Sequence, residues 1–387
     1  NALPQSLIKD VERILSYYFA VLNGLKKGRL LTGKRQEWLL HMASCAIDEL
    51  FAPMTHEEAL ARVMVDVLMP SLEKSMPSVE DRVKKGQLLI ACYRILWRPN
   101  INRLQYFLLK QSFGTLLVLS PADAYARAHE FVGVIEKIDA AISYSLNGRL
   151  QRAFRRFRIP FIVLHNIVKR SGVDALSDLD ALDDQVRKVC EKMYTMQRKR
   201  LVGRTIRAFI YIFLTKMVLG FSVEIPYDLL TAKHVKMQPL ILNIVVPPAV
   251  LAFISFTVRM PGKDNTEAIV QAVMEVVSAD TKEKIFVPQK ITFKKRGMGL
   301  SIVFNILYAI LSAISIGLFT WVLVKLDFNI VSGMILFFFL SLVMFFGITL
   351  RRMINDLVII KGRERFLWLF IAQFFDPIMR LGQWLSF

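Results

Sequence analysis

The sequence predicts an all-α protein: a cytoplasmic helical domain over residues 1–202, a four-helix transmembrane region over 203–360 and an interfacial amphipathic helix over 361–387. Three observations lead to this reading. The first is composition, because 54% hydrophobic residues, 28 Phe and a mean hydropathy of +0.41 exceed what a soluble domain carries. The second is a set of four apolar runs at 205–223, 239–258, 300–324 and 328–350, each near the ~20 residues a helix needs to cross about 30 Å of hydrocarbon. The third is the recurrence of apolar residues at three and four spacings before residue 202, with no run of strand character.

In chain order, helices are expected near 4–23, 34–52, 56–75, 79–98, 101–119, 121–146 and 149–170, and a polar one at 178–202 leads into the membrane. Capping chemistry marks the starts. Thr55 with Glu58 and Ser78 with Asp81 have capping-box spacing, and Ser120-Pro121 with Asp123 offers an N-cap, a proline at the first helical position and an acid in the first turn. Residues 104–120, LQYFLLKQSFGTLLVLS, are apolar enough to suggest a fifth span. Their 17-residue length and the central Lys110-Gln111 favour a buried core helix or one lying in the interface.

Charge then orients the spans. Arg198, Lys199, Arg200, Arg204 and Arg207 precede the first run, and Lys233 and Lys236 follow it. The 259–297 connection holds eight basic residues, the turn at 325–329 holds Lys325 alone, and the tail beyond 350 holds six. This alternation places both termini and the 259–297 loop on the cytoplasmic side of the cell (inner) membrane. A reducing environment for the helical domain fits Cys45, Cys92 and Cys190, which have neither an even count nor CxxC spacing. The chain opens on Asn1 and stops at Phe387 inside an amphipathic pattern, so trimmed ends are expected, and no signal-peptide pattern is visible in these residues.

Polar residues inside the spans form the candidate site. Lys216 lies nine residues beyond Arg207, roughly 14 Å deep at 1.5 Å per residue. An ionisable group at that depth costs at least ~2.5 kcal/mol on insertion scales and calls for a partner. Glu224, Asp228 and Asn243 are the polar groups nearest in depth, although a lysine can also snorkel out along its stem. In the second run Pro247-Pro248 is expected to split the helix into halves, 239–246 and 249–258, with the broken backbone turned toward protein. EIPYD (224–228) followed by NIVVPPAVLAF (243–253) resembles a segment of uncharacterised multi-spanning membrane proteins of small-genome bacteria. There an acidic-proline-tyrosine turn precedes an Asn-x-x-x-Pro-Pro span. The resemblance covers 213–260 and implies no activity.

Catalytic patterns are missing from the sequence. The five His belong to no HExxH, and neither GxSxG, GxxxxGK[ST] nor GxGxxG occurs. Asp174, Asp178, Asp180, Asp183 and Asp184 lack the glycine and terminal glutamate of a calcium loop and read as acids at the start of a solvated helix. No metal or other cofactor is expected. RLQRAFRRFR (149–158) carries Arg149, Arg152, Arg155, Arg156 and Arg158, with Arg149, Arg152 and Arg156 on one helical face. That face suits the anionic cytoplasmic leaflet at about 1 kcal/mol per Arg, or equally plain solvent. No module for nucleic acid surrounds it.

The expected function is therefore a membrane scaffold or interaction subunit that presents the helical domain, with lipids and a protein partner or a second copy as its partners. The alternative is a channel or carrier subunit with its site at Lys216, Glu224, Asp228 and Asn243 beside Pro247 and Pro248. Cysteine labelling of intact cells tests the orientation. Modification from outside is expected at position 232 and not at 280, and the reverse result overturns the assignment.

Overall fold

The computed structural model describes residues 5–76, 80–231, 234–278, 286 and 298–359, with backbone alone for 298–301. All regular elements among these residues are helical. Ser78 and the amphipathic segment at 361–387 lie outside the described residues. The chain divides into two compact units, Asn1–Leu182 with Gln271–Phe293 and Asp183–Val270 with Lys294–Phe387.

The first unit contains α1 (Gln5–Lys27), α2 (Gly33–Phe51), α3 (Thr55–Ser75), α4 (Asp81–Trp97), α5 (Ile101–Leu117), α6 (Pro121–Ala126), α7 (Glu130–Ser143), α8 (Ser145–Phe154) and α9 (Arg158–Ser171). The second half of α4, residues 88–97, is apolar on every side but for Arg94, so it belongs at the centre. It buries Leu88, Ile90, Ala91, Cys92, Tyr93, Ile95 and Leu96 and packs against α3, α5, α8 and α9. Tyr93 stacks on Phe107 of α5 with ring centroids 3.9 Å apart. The single helix expected over 121–146 is two, because the chain turns where Ala128 meets α1. A Cβ at Gly24 of α1 would stand 2.6 Å from the Ala128 side chain and 2.4 Å from the Tyr125 carbonyl oxygen. Only glycine admits that approach.

Local signals were met unevenly. Ser120 caps α6 as expected, accepting the Asp123 N–H at 3.2 Å, with Pro121 in the first turn. The Thr55–Glu58 capping box does not form. α3 already starts at Thr55, and Glu58 is buried and turned to α5, where it accepts from Lys110 Nζ at 2.7 Å and Gln111 Nε2 at 3.1 Å. That contact settles the 104–120 stretch as a core helix, since Lys110 also reaches Glu49 of α2 at 2.5 Å. Asp178 accepts the N–H groups of Asp180 and Ala181, each at 3.1 Å, at the start of the next helix.

The arginine stretch is not one helix. α8 ends at Phe154, a 3₁₀ turn spans Arg155–Phe157, and α9 begins at Arg158, so Arg149, Arg152 and Arg156 do not share a continuous face. Arg158 belongs to packing. Its guanidinium donates twice to the Leu96 carbonyl, at 3.2 and 3.0 Å, and so satisfies a carbonyl in the last turn of α4. Arg152 and Arg155 are exposed, Arg149 is partly so, and Arg156 lies over the Phe157 ring at 4.6 Å.

The second unit is built on α10 (Leu179–Leu219), which opens in the first unit, together with a π-helical turn Gly220–Glu224, α11 (Ile225–Thr231), α12 (Met237–Thr257), the start of α13 (Lys263–Val277), whose residues from Gln271 belong to the first unit, α14 (Met298–Lys325) and α15 (Ile330–Asn355). Four helices are long and apolar enough to cross a membrane: Leu179–Thr231, Met237–Thr257, Ile302–Lys325 and Ile330–Asn355. The domain boundary expected at 202 falls inside α10, because Val202-Gly203-Arg204 offers no breaker strong enough to stop it. α15 buries Ser332, Leu336, Phe339, Val343, Gly347, Leu350 and Ile354, a seam of three and four spacings along one face. It packs along α12, and a Cβ at Gly347 would lie 2.8 Å from Ile254 Cγ2. Ile212 of α10 joins Leu251, Ile254, Phe339 and Val343 in the same core.

The half-helices expected around Pro247-Pro248 are not found, and α12 runs unbroken from Met237 to Thr257. Proline's fixed φ is itself helical, so the pair removes only the bonds to the carbonyls of Asn243 and Ile244. Both prolines are buried, which turns the defect toward protein.

In the first unit, burial alone would lower the pKa of Lys110, but its hydrogen bonds and charge contacts with Glu58 and Glu49 outweigh it and raise the value. A raised lysine pKa stabilises the fold fully below the unfolded value of about 10.4 and loses that contribution only as pH climbs through the folded value. Lys110→Met leaves two carboxylates facing each other and should cost about 1–3 kcal/mol at neutral pH in denaturant unfolding of the full chain.

Candidate functional site

Lys216, Gly220, Glu224 and Asp228 recur every four residues, and all four are buried. In a plain α-helix such a stripe drifts by about 40° per step, so Asp228 would point roughly 120° away from Lys216. The π turn Gly220–Glu224 takes up one extra residue, about 100° of rotation, and brings Glu224 and Asp228 back to within about 20° of Lys216. The irregular turn therefore keeps three ionisable groups on one face. Sequence periodicity missed it because its signal is the stripe itself, read without the drift.

Asn243 is the junction. Lys216 Nζ donates to Asn243 Oδ1, while Asn243 Nδ2 donates to Glu224 Oε1 at 2.7 Å and to the Ser332 carbonyl at 3.1 Å. The reverse amide orientation would set NH₂ against the ammonium and oxygen against the carboxylate, so the charges fix it. Lys216 and Asn243 have no exposed surface, and Glu224 is 2% exposed. A snorkelling lysine is thereby ruled out. The ammonium also lies 4.6 Å from the centroid of the Phe339 ring, whose negative face favours it. Glu224 Oε2 has no hydrogen bond of good geometry, although the Ser332 side chain lies beside the carboxylate.

A second node closes the turns. Asp228 accepts from the Lys236 backbone N–H at 3.0 Å and from Asn329 Nδ2 at 2.5 Å. Asn329 in turn caps α15 by accepting the Ser332 N–H at 2.7 Å. Lys236 Nζ donates to the Asp327 carbonyl at 3.2 Å.

The structure therefore brings together Lys216, Glu224, Asn243 and the Pro247-Pro248 turn, and it sets Asp228 in the adjoining node. Ser332, Phe339 and Asn329 were not anticipated. Asn329 had a readable signal as a cap residue three before Ser332, and Ser332 opens the α15 seam. Arg149, Arg152, Arg155, Arg156 and Arg158 belong to the other unit. Among the described residues, no group of three His, Cys, Asp or Glu side chains is placed to hold a metal ion. No protein-family model, curated protein or solved structure matches the chain.

Chemically, an ammonium and a carboxylate joined through an amide make an electrically balanced tie between three helices. Asn243 serves more partners than Lys216 does. Asn243→Leu should therefore destabilise the helix assembly more than Lys216→Met, which should cost on the order of 0.6–2 kcal/mol. Unfolding in mixed micelles measures both, and the opposite ranking would contradict the geometry.

Proposed function

We propose that the protein is a multi-pass protein of the cell (inner) membrane with cytoplasmic termini, acting as a scaffold or interaction subunit that presents its helical N-terminal region to a cytoplasmic partner. The observation that carries the proposal is the complete burial of Lys216 and Asn243 in contacts with other helices. Polar groups spent on one another tie spans together. A solute pathway keeps such groups facing water or cargo. The spans then act as an anchor, and recognition falls to the helical region. Exposed Arg152 and Arg155, with Arg149, supply that region with a cationic surface suited to anionic lipid. A protein partner or a second copy completes the assembly.

A channel or carrier subunit is the second reading. It is favoured by Glu224 Oε2, which lacks a well-formed hydrogen bond beside a π turn and a proline pair. Ion flux into liposomes holding the purified protein separates the two. We expect flux no greater than in empty liposomes, and a stable cytoplasmic partner on gentle co-purification. Flux that Lys216→Met abolishes while the protein stays folded would establish the carrier reading instead.

A further inference from the structure

α10 carries a second stripe that the intramembrane tie does not use. Arg200, Arg204, Arg207, Tyr211, Leu214 and Val218 recur at four and three spacings, and at about 100° per residue they lie within about 40° of one direction. All six are exposed, Tyr211, Leu214 and Val218 by 65%, 58% and 62%. The helix buries a different face, where Leu201 packs with Leu350 and Ile354 of α15 and Ile212 joins Phe339 and Val343. Gln197 Nε2 donates to the Met353 carbonyl at 3.3 Å, and Arg204 Nη1 reaches Met353 Sδ at 3.0 Å, so the stripe borders the end of α15. All of these residues belong to the second unit.

The stripe changes character along its length. Its first half is three guanidinium groups over about 10 Å of helix, and its second half is apolar. No acid stands between Glu191 and Glu224, and among the described residues no carboxylate pairs with Arg200, Arg204 or Arg207. Arg207 Nε spends one donor on the Gly203 carbonyl at 3.2 Å. Earlier in the same helix Arg187 is answered by Asp183 at 2.8 Å and by Glu267 at 2.6 Å. The planar donor forks left open on the stripe suit phosphate oxygens. A second copy does not suit them, because two copies side by side in one membrane share orientation and depth and would set these arginines against one another. A molecule with phosphate at one end and apolar chains at the other matches both halves.

We propose that this face of α10 is a binding site for an anionic phospholipid, whose phosphate lies against Arg200, Arg204 and Arg207 and whose acyl chains run along Tyr211, Leu214 and Val218. This rests on the membrane-spanning reading and adds a preference for lipid class that anchoring alone does not require. Phosphatidylcholine would meet the same arginines with a choline ammonium beside its phosphate, which cancels the net charge of the headgroup and weakens the pairing.

Native mass spectrometry of the full chain, released from mixed micelles holding equimolar phosphatidylglycerol and phosphatidylcholine, tests this. Wild type should retain phosphatidylglycerol over phosphatidylcholine by about tenfold or more. The triple variant Arg200→Gln, Arg204→Gln, Arg207→Gln should retain both equally, and Arg149→Gln with Arg152→Gln in the first unit should keep the preference. Glycerol phosphate, which has the phosphate without acyl chains, should not displace the lipid even in large excess. Should the triple variant melt early, Arg200→Gln with Arg207→Gln spares the contact to Met353 and carries the same comparison. Equal retention by wild type, a preference that survives the α10 substitutions or is lost with the first-unit pair, displacement by glycerol phosphate, or a lipid-free dimer in place of the lipid-bound protein overturns the proposal. The flux and co-purification outcomes do not depend on lipid class, so the two readings fail separately.

Discussion

In hydrocarbon no water stands ready to solvate a charge, and the arrangement of the second unit follows from how Lys216 is answered. A direct ion pair would need Glu224 against the ammonium. Asn243 instead accepts from the lysine and donates to the carboxylate and to the Ser332 carbonyl, so one amide ties α10, the π turn, α12 and α15. That tie requires close helices. Gly347 lets Ile254 approach, and the α15 seam supplies the apolar remainder. α14 is the least covered of the four apolar helices, with Ser315 its one buried residue among 302–325.

The proline pair makes sense within the same constraint. Removing the donors at 247 and 248 frees the carbonyls of Asn243 and Ile244, a cost that lipid would not relieve. Placing both prolines on the buried face confines the defect to a place where polar groups already gather. In the first unit the corresponding economy is different. Lys110 sits between two carboxylates near water, and Arg158 covers a helix end.

Periodicity made the spans and most helices of the first unit legible within a few residues, because burial of one face leaves the 3.6 spacing in the sequence. Lys216, Glu224 and Asn243 were legible because charge and amide are rare at that depth. What escaped has a physical reason in each case. The π turn leaves no compositional mark. Glu58 had capping spacing but was drawn into the core by Lys110, a pairing between residues 52 apart. The unbroken α12 shows that two lost backbone bonds do not end a helix whose buried face is well packed. The arginine stretch looked like one face until the 3₁₀ turn at Arg155–Phe157 divided it.

The dependence on Asn243 can be measured directly with a double-mutant cycle between Lys216→Met and Glu224→Gln, followed by helix assembly in micelles and run both in the wild-type background and in Asn243→Leu. Charges joined through the amide should show a coupling energy of about 0.6 kcal/mol or more with Asn243 present, and it should vanish in Asn243→Leu. Coupling of equal size in both backgrounds, or none in either, would contradict the amide-bridged tie.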